Sequence, residues 1–258
     1  MKLKDIFEIS EGTKKILAIT ISVTITAIVF AFFYYRGLNR SEDPRIMEAK
    51  ELLLEYEKLS RGITGTEAFY LLDSAFAIFS SIPDYVGSFE KGVIYNNKCS
   101  GLMINALYNS DTISGEKSHL LAMAMQYCDS SIFIYQKWLD EWEGLSPEEI
   151  VIRLEPFMNA NDPAFNGFNF RRIFKQRVKN IIDAQYETPR RLSVSYTNKG
   201  TIFRHLSEPD SALAYIRMAL SLWEDNRTAE SNLSVLMGGE PLKPELIESL
   251  FPPERKKN

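Results

Sequence analysis

Two cysteines and two histidines in 258 residues leave little material for thiol or metal chemistry. Cys99 and Cys128 form no CxxC pair, and His119 and His205 stand alone. That spacing argues against a zinc site or a disulfide framework, and the expected state is two small buried thiols in helices. Also missing are a glycine-rich phosphate loop, an HExxH pair and a GxSxG turn. Neither histidine has a nucleophile or carboxylate at a recognisable spacing. The expectation is therefore a chain with no catalytic residue, no metal ligand and no cofactor, and not an enzyme. Glu148, Glu149 and Glu155 are adjacent carboxylates that fit the start of a helix, where they complement its dipole.

Charge is absent from residues 16–35, twenty positions that at about 1.5 Å per residue cross a hydrocarbon core of roughly 30 Å. Alternation from Ile19 to Thr26 imitates a strand, but an isolated strand leaves its backbone unpaired in lipid and a helix does not. Tyr34, Tyr35 and Arg36 form an interfacial edge. No A-x-A cleavage site follows the run, so it reads as an uncleaved anchor after a short N-terminal segment, 1–15. The placement expected is a single-pass cell-membrane protein with a cytoplasmic N-terminus and an extracytoplasmic domain, periplasmic if the source is bacterial. Thr20, Thr24, Ala27 and Ala31 put a stripe of small residues on this helix, a surface on which two copies could pair as a homodimer.

After a polar linker, 36–44, the remainder reads as one α-helical domain, 45–251, with a disordered tail, 252–258. Leu52, Leu53, Tyr56 and Leu59 mark one helix, and Ala68, Leu72, Ala75 and Phe79 another, joined by a turn at 61–65. Residues 116–143 contain neither Pro nor Gly and keep Leu121, Met125, Cys128, Ile132, Tyr135, Leu139 and Trp142 at spacings of 4 and 3, which predicts one long helix. Ser146-Pro147 opens a further helix, 156–167 is a loop, and 168–186 is a basic amphipathic helix ended by Pro189. A capping box at Ser207 to Asp210 opens the next helix, and Gly238-Gly239 closes the last.

The net charge of −4 hides an asymmetry: residues 41–165 carry 20 acidic against 9 basic side chains, and 166–206 carry 2 against 9. Arg171, Arg172, Lys175, Arg177 and Lys179 form the candidate surface for an anionic membrane or an acidic partner, with Arg190 and Arg191 beyond them. Nucleic acid is not an expected partner of so acidic a chain outside the cytoplasm.

From Ser193 onward a 34-residue spacing appears. Tyr196, Gly200, Phe203, Ala212 and Ala219 fall at positions 4, 8, 11, 20 and 27, and Asn198 and Asn232 are 34 apart. This pattern resembles the tetratricopeptide (TPR) family over 193–237. Lys199 stands where Leu is usual and Glu224 where Pro is usual. Tyr95 to Cys99 echoes Tyr196 to Gly200, and Ala68 and Ala75 repeat the spacing of Ala212 and Ala219. The resemblance implies an all-α fold, a transmembrane helix followed by a solenoid of irregular helical hairpins. Gly200 and Ala212 would lie where two helices cross, with Tyr196 and Phe203 on either side. It also implies a scaffold or adaptor that binds a protein partner on its concave face, with Asn97, Asn198, Thr201, Arg204 and Asn232 as the partner-binding set. Two alternatives remain open: the asparagines are structural and bond the neighbouring repeat, or the fold closes into an extracytoplasmic small-solute-binding module.

Overall fold

The structure is a computed structural model that describes residues 11–39, 41–60, 66–108 and 114–242. Among these every regular element is helical: α1 (Glu11–Asn39), α2 (Met47–Ser60), α3 (Phe69–Ser81), α4 (Phe89–Tyr108), α5 (Ser114–Trp142), α6 (Pro147–Leu154), α7 (Phe170–His205), α8 (Pro209–Leu222) and α9 (Arg227–Leu236). Short 3-10 turns lie at Pro44–Ile46, Pro83–Tyr85 and Pro163–Phe165. The expected turn at 61–65 and tail at 252–258 lie outside the described residues.

Contacts divide the chain into two compact units, Met1–Asp43 with Ala160–Arg177, and Pro44–Asn159 with Val178–Asn258. The segment 160–177 thus groups with 1–43 in this division. In the first unit, Gly12–Phe32 is a helical stretch long and apolar enough to cross a membrane, and none of it is buried within the protein. The helix runs on to Asn39, through the first residues of the expected linker. Thr26 donates its hydroxyl to the Ser22 carbonyl at 2.9 Å, so this polar side chain is satisfied within its own helix.

In the second unit, successive helices pack as neighbours: α2 on α3, α3 on α4, α4 on α5, and α8 on α9. Phe79, Leu72, Ala75 and Ile94 are fully buried in one core cluster. Close approach decides the α4–α5 pair, because a Cβ at Gly92 would lie 2.5 Å from the ring of Tyr135, itself buried. Glycine inside a helix costs about 1 kcal/mol relative to alanine, and here it admits an aromatic ring against the backbone.

The cysteines depart from expectation. Cys99 of α4 and Cys128 of α5 form a disulfide with their Cα atoms 5.3 Å apart. Both side chains are fully buried, as expected, but they are not thiols. Their separation of 29 residues matches no short motif, and only the α4–α5 packing brings them together.

Two chain breaks read from the sequence are also revised. Pro189 does not separate two helices, since α7 is continuous from Phe170 to His205. Proline removes one helical N–H bond and crowds the preceding turn, at about 3 kcal/mol. Burial of Ile181 and Ala184 before it and of Leu192 and Tyr196 after it holds both arms in helical register. Ser207 is not the N-cap of α8. It has φ 63° and ends α7, with its own N–H bonded to the Arg204 carbonyl and the Glu208 N–H to the Phe203 carbonyl. Glu208 is the residue preceding α8, and no side chain caps that helix.

Glu148 and Glu149 lie in the first turn of α6 as expected, whereas Glu155 lies at its C-terminal end. Ser146 and Glu149 form a reciprocal capping box at α6. That box holds the Glu149 carboxyl below its usual range, chiefly through the Ser146 N–H and then the Ser146 hydroxyl. Gly238, at φ 84°, ends α9 as its N–H meets the Val235 carbonyl and that of Gly239 meets Ser234.

Candidate interaction site

Within the second unit, the C-terminal arm of α7 is held by α8 on one side. A Cβ at Gly200 would lie 2.9 Å from Ile216 Cγ1 and 3.1 Å from the Ala212 carbonyl oxygen, so α7 and α8 cross at Gly200 and Ala212. Tyr196 and Phe203 both pack on Tyr215 of α8, at 6.0 and 5.4 Å between ring centroids. The Ser193 hydroxyl donates to the Ala219 carbonyl at 2.7 Å. Lys199, where the repeat pattern has Leu, spans the same aromatic shelf. Its ammonium lies 4.5 Å from the Tyr215 ring centroid and pairs with Asp129 of α5. Partial burial presses this amine toward neutrality, but Asp129 and Tyr215 outweigh it and its pKa is raised.

Two polar seams flank this arm. Toward α4 and α5, the Ser195 hydroxyl lies 2.8 Å from that of Ser131 and donates to Asn96 Oδ1 at 3.0 Å. Asn198 Nδ2 donates to Asn96 Oδ1 at 3.1 Å and to the Ser100 hydroxyl at 2.9 Å. Toward α9, Asn226 Nδ2 donates to the hydroxyls of Ser193 and Thr197 at 2.8 and 3.0 Å. Asn232 Nδ2 donates to the Thr201 hydroxyl at 3.2 Å and to the Thr228 carbonyl at 3.0 Å. Ser100 follows Asn97 by three residues, and Thr201 follows Asn198 by three. The contacts Asn198–Ser100 and Asn232–Thr201 therefore join equivalent positions of the sequence repeat.

The expected partner-binding residues do not share one environment. Asn198, Thr201 and Asn232 are buried, at 8 %, 9 % and 8 % exposure, with their polar groups engaged by neighbouring helices. Asn97 is half-buried, and its carbonyl accepts a weak bond from the Tyr56 hydroxyl at 3.4 Å. Arg204 is half-buried at the end of α7, with its guanidinium 3.2 Å from His205 Nε2. Arg204 and Lys117 make this end of the helix a cationic corner; burial first, and then these two charges, depress the His205 pKa. The sequence spacing picks out these asparagines as a set. It could not say which side of the helix the next element covers.

The basic set also divides. Arg171, Arg172, Lys175 and Lys179 are exposed, but Arg177 is buried at 3 %. Its place four residues after Ile173 and four before Ile181, both 1 % exposed, puts it on the apolar stripe of α7. Arg190 and Arg191 lie against aromatic rings, 5.6 Å from Trp223 and 4.7 Å from Phe89. Among the described residues no group of three or more His, Cys, Asp or Glu could hold a metal ion. No family model, curated protein or solved structure matches the chain.

Proposed function

We propose that the chain is a membrane-anchored, TPR-like scaffold whose second unit receives a segment of a partner protein. The observation that carries this reading is the repeated joint, Asn198 on Ser100 and Asn232 on Thr201, whose donors are 34 residues apart and whose acceptors each follow the preceding asparagine, Asn97 or Asn198, by three. A bond recurring at equivalent positions belongs to stacked hairpins, and stacked hairpins present an extended surface for a peptide. The buried asparagines serve the stack itself, which leaves the cationic corner at Arg204 and the half-buried Asn97 as groups for a carboxylate or peptide backbone. The α1 helix supplies the anchor. A cytoplasmic N-terminus and an extracytoplasmic second unit suit the Cys99–Cys128 disulfide, a bond that persists in oxidising compartments.

A photo-crosslinking residue at position 204 of the full chain, in intact membranes, tests the reading against one at Met218, which is exposed on α8. A discrete protein adduct at 204 and none at 218 is expected. Equal adducts at both positions, or none at either, count against a partner-binding corner.

A further inference from the structure

We propose that the first unit is a membrane seat as well as an anchor. Arg171, Arg172 and Lys175, with the exposed ring of Phe168, rest on anionic lipid headgroups while α1 crosses the bilayer. This rests on reading α1 as the anchor, and four observations lead beyond it.

First, Ala160–Arg177 clusters with Met1–Asp43 although the whole of Pro44–Asn159 lies between them in sequence, so the basic segment belongs to the compact unit that holds the span. Second, beyond the span that unit carries six basic against three acidic side chains in 36–43 and 160–177, a net of +3, and the second unit stands at −8. Lipid of negative charge attracts the one and repels the other. Third, the basic side chains occupy one face. Arg171, Arg172 and Lys175 are exposed, whereas Ile173 is buried and Phe170 packs between Phe165 and Phe174, at centroid distances of 5.2 and 5.9 Å. Asp162, the only carboxylate in 160–177, is turned to the Ala164 N–H at 2.9 Å. Phe168 remains 42 % exposed, and an aromatic ring among cations is the composition of a membrane interface.

Fourth, α7 violates a local rule. Its first turn has no acidic residue, and Arg171 and Arg172 stand at the positive end of the helix dipole. An anion held there offsets both the side-chain charges and the dipole, and a headgroup phosphate is such an anion. Each cation near an anionic surface shifts the equilibrium about fivefold, so three favour the seated state by roughly a hundredfold.

The test uses the full chain in lipid nanodiscs with one added cysteine carrying a fluorophore, since both native cysteines are in the disulfide. Asn166→Cys reports the seat and Thr24→Cys the span, and both positions are exposed. With anionic lipid, headgroup spin labels should quench the 166 fluorophore. That quenching should fall at least twofold in neutral discs, at high salt, and in R171Q/R172Q/K175Q, with helicity unchanged. A Lys175→Gln variant should give a smaller fall. Quenching equal in neutral and anionic discs, absent from both, or unchanged in the triple variant overturns the seat. If acyl-chain spin labels quench position 24, only the seat has failed; if they do not, the anchor has failed and the seat with it.

Discussion

The two units use the same kinds of side chain in opposite ways. In the first, Ile16, Ile19, Val23 and Phe30 are 67 %, 65 %, 64 % and 74 % exposed, on a helix that turns apolar groups outward. In the second, Leu72, Phe79 and Ile94 are fully buried, and the polar groups of Ser193, Ser195 and Asn226 are buried with them. On the reading of α1 as a membrane span, the difference is one of solvent. Lipid offers no hydrophobic drive to hide apolar side chains, so such a helix needs only a backbone bonded within itself. Water does supply that drive, and a helix buried on several sides must then pair each polar group that goes in with it.

The sharpest break in this comparison should come from Arg45 and Asp84, an ion pair in the second unit at 2.9 Å with side-chain exposures of 9 % and 0 %. Removing Arg45 takes a cation from a buried carboxylate. Arg45→Met is expected to cost about 3–5 kcal/mol in denaturant unfolding, and Arg45→Met with Asp84→Leu to recover most of it. Removing the exposed Arg171 should cost less than about 0.5 kcal/mol.

Opening the disulfide comes next. Closing a loop of 29 residues stabilises by roughly 3.5 kcal/mol in the chain-entropy account, so Cys99→Ala with Cys128→Ala should lower the unfolding midpoint of the second unit. The helical signal of α1 in detergent should not change. Gly92→Ala should cost about 1–3 kcal/mol, because the new Cβ would lie 2.5 Å from the buried Tyr135 ring, and thermal melts report it.

Asn198→Ala and Asn232→Ala sharpen the comparison between the two joints. Each removes two side-chain donations, and each should destabilise by about 1–3 kcal/mol in urea unfolding. Effects of similar size support equivalent joints, and a loss confined to one does not. The smallest effect concerns pH. Glu149 has a lowered pKa in the folded state, so its contribution is present above the unfolded value and is lost as pH falls through the folded one. Glu149→Gln should flatten the acid limb of the stability curve without altering it at neutral pH by more than the loss of the cap.

Much of the fold was legible where the signal is local. The apolar run of α1, the 3-and-4 spacing of α5, the Ser146 cap and the Gly238 stop all depend on neighbours within a turn or two, and the sequence prints those neighbours side by side. Gly200 with Ala212 was legible for a different reason, since residues almost without side chains mark where two helices approach closely. What escaped depends on tertiary partners. Cys99 finds Cys128 only through the α4–α5 pair, Pro189 is tolerated because buried residues hold both arms, and Arg177 is buried on a stripe otherwise apolar. Of the candidate site, the positions of Asn198 and Asn232 were readable but their environment was not. An amide facing a groove and one facing the next helix have the same local sequence.

The hydroxyl row on α7 has a consequence for how the second unit comes apart. Thr197 donates to the Ser193 carbonyl and Thr201 to the Thr197 carbonyl, at 2.9 and 2.8 Å, bonds that need nothing from α9. If α9 lifts away, these hydroxyls stay satisfied, and the amides of Asn226 and Asn232 pass to water. On the other side Ser195 has a similar bond, to the Arg191 carbonyl at 3.3 Å, but there a covalent bond stitches α4 to α5. The unit is thus a zipper with one sewn end and one open end. Backbone amides of α9 should exchange with deuterium through local fraying, while those around Cys99 and Cys128 wait for global unfolding.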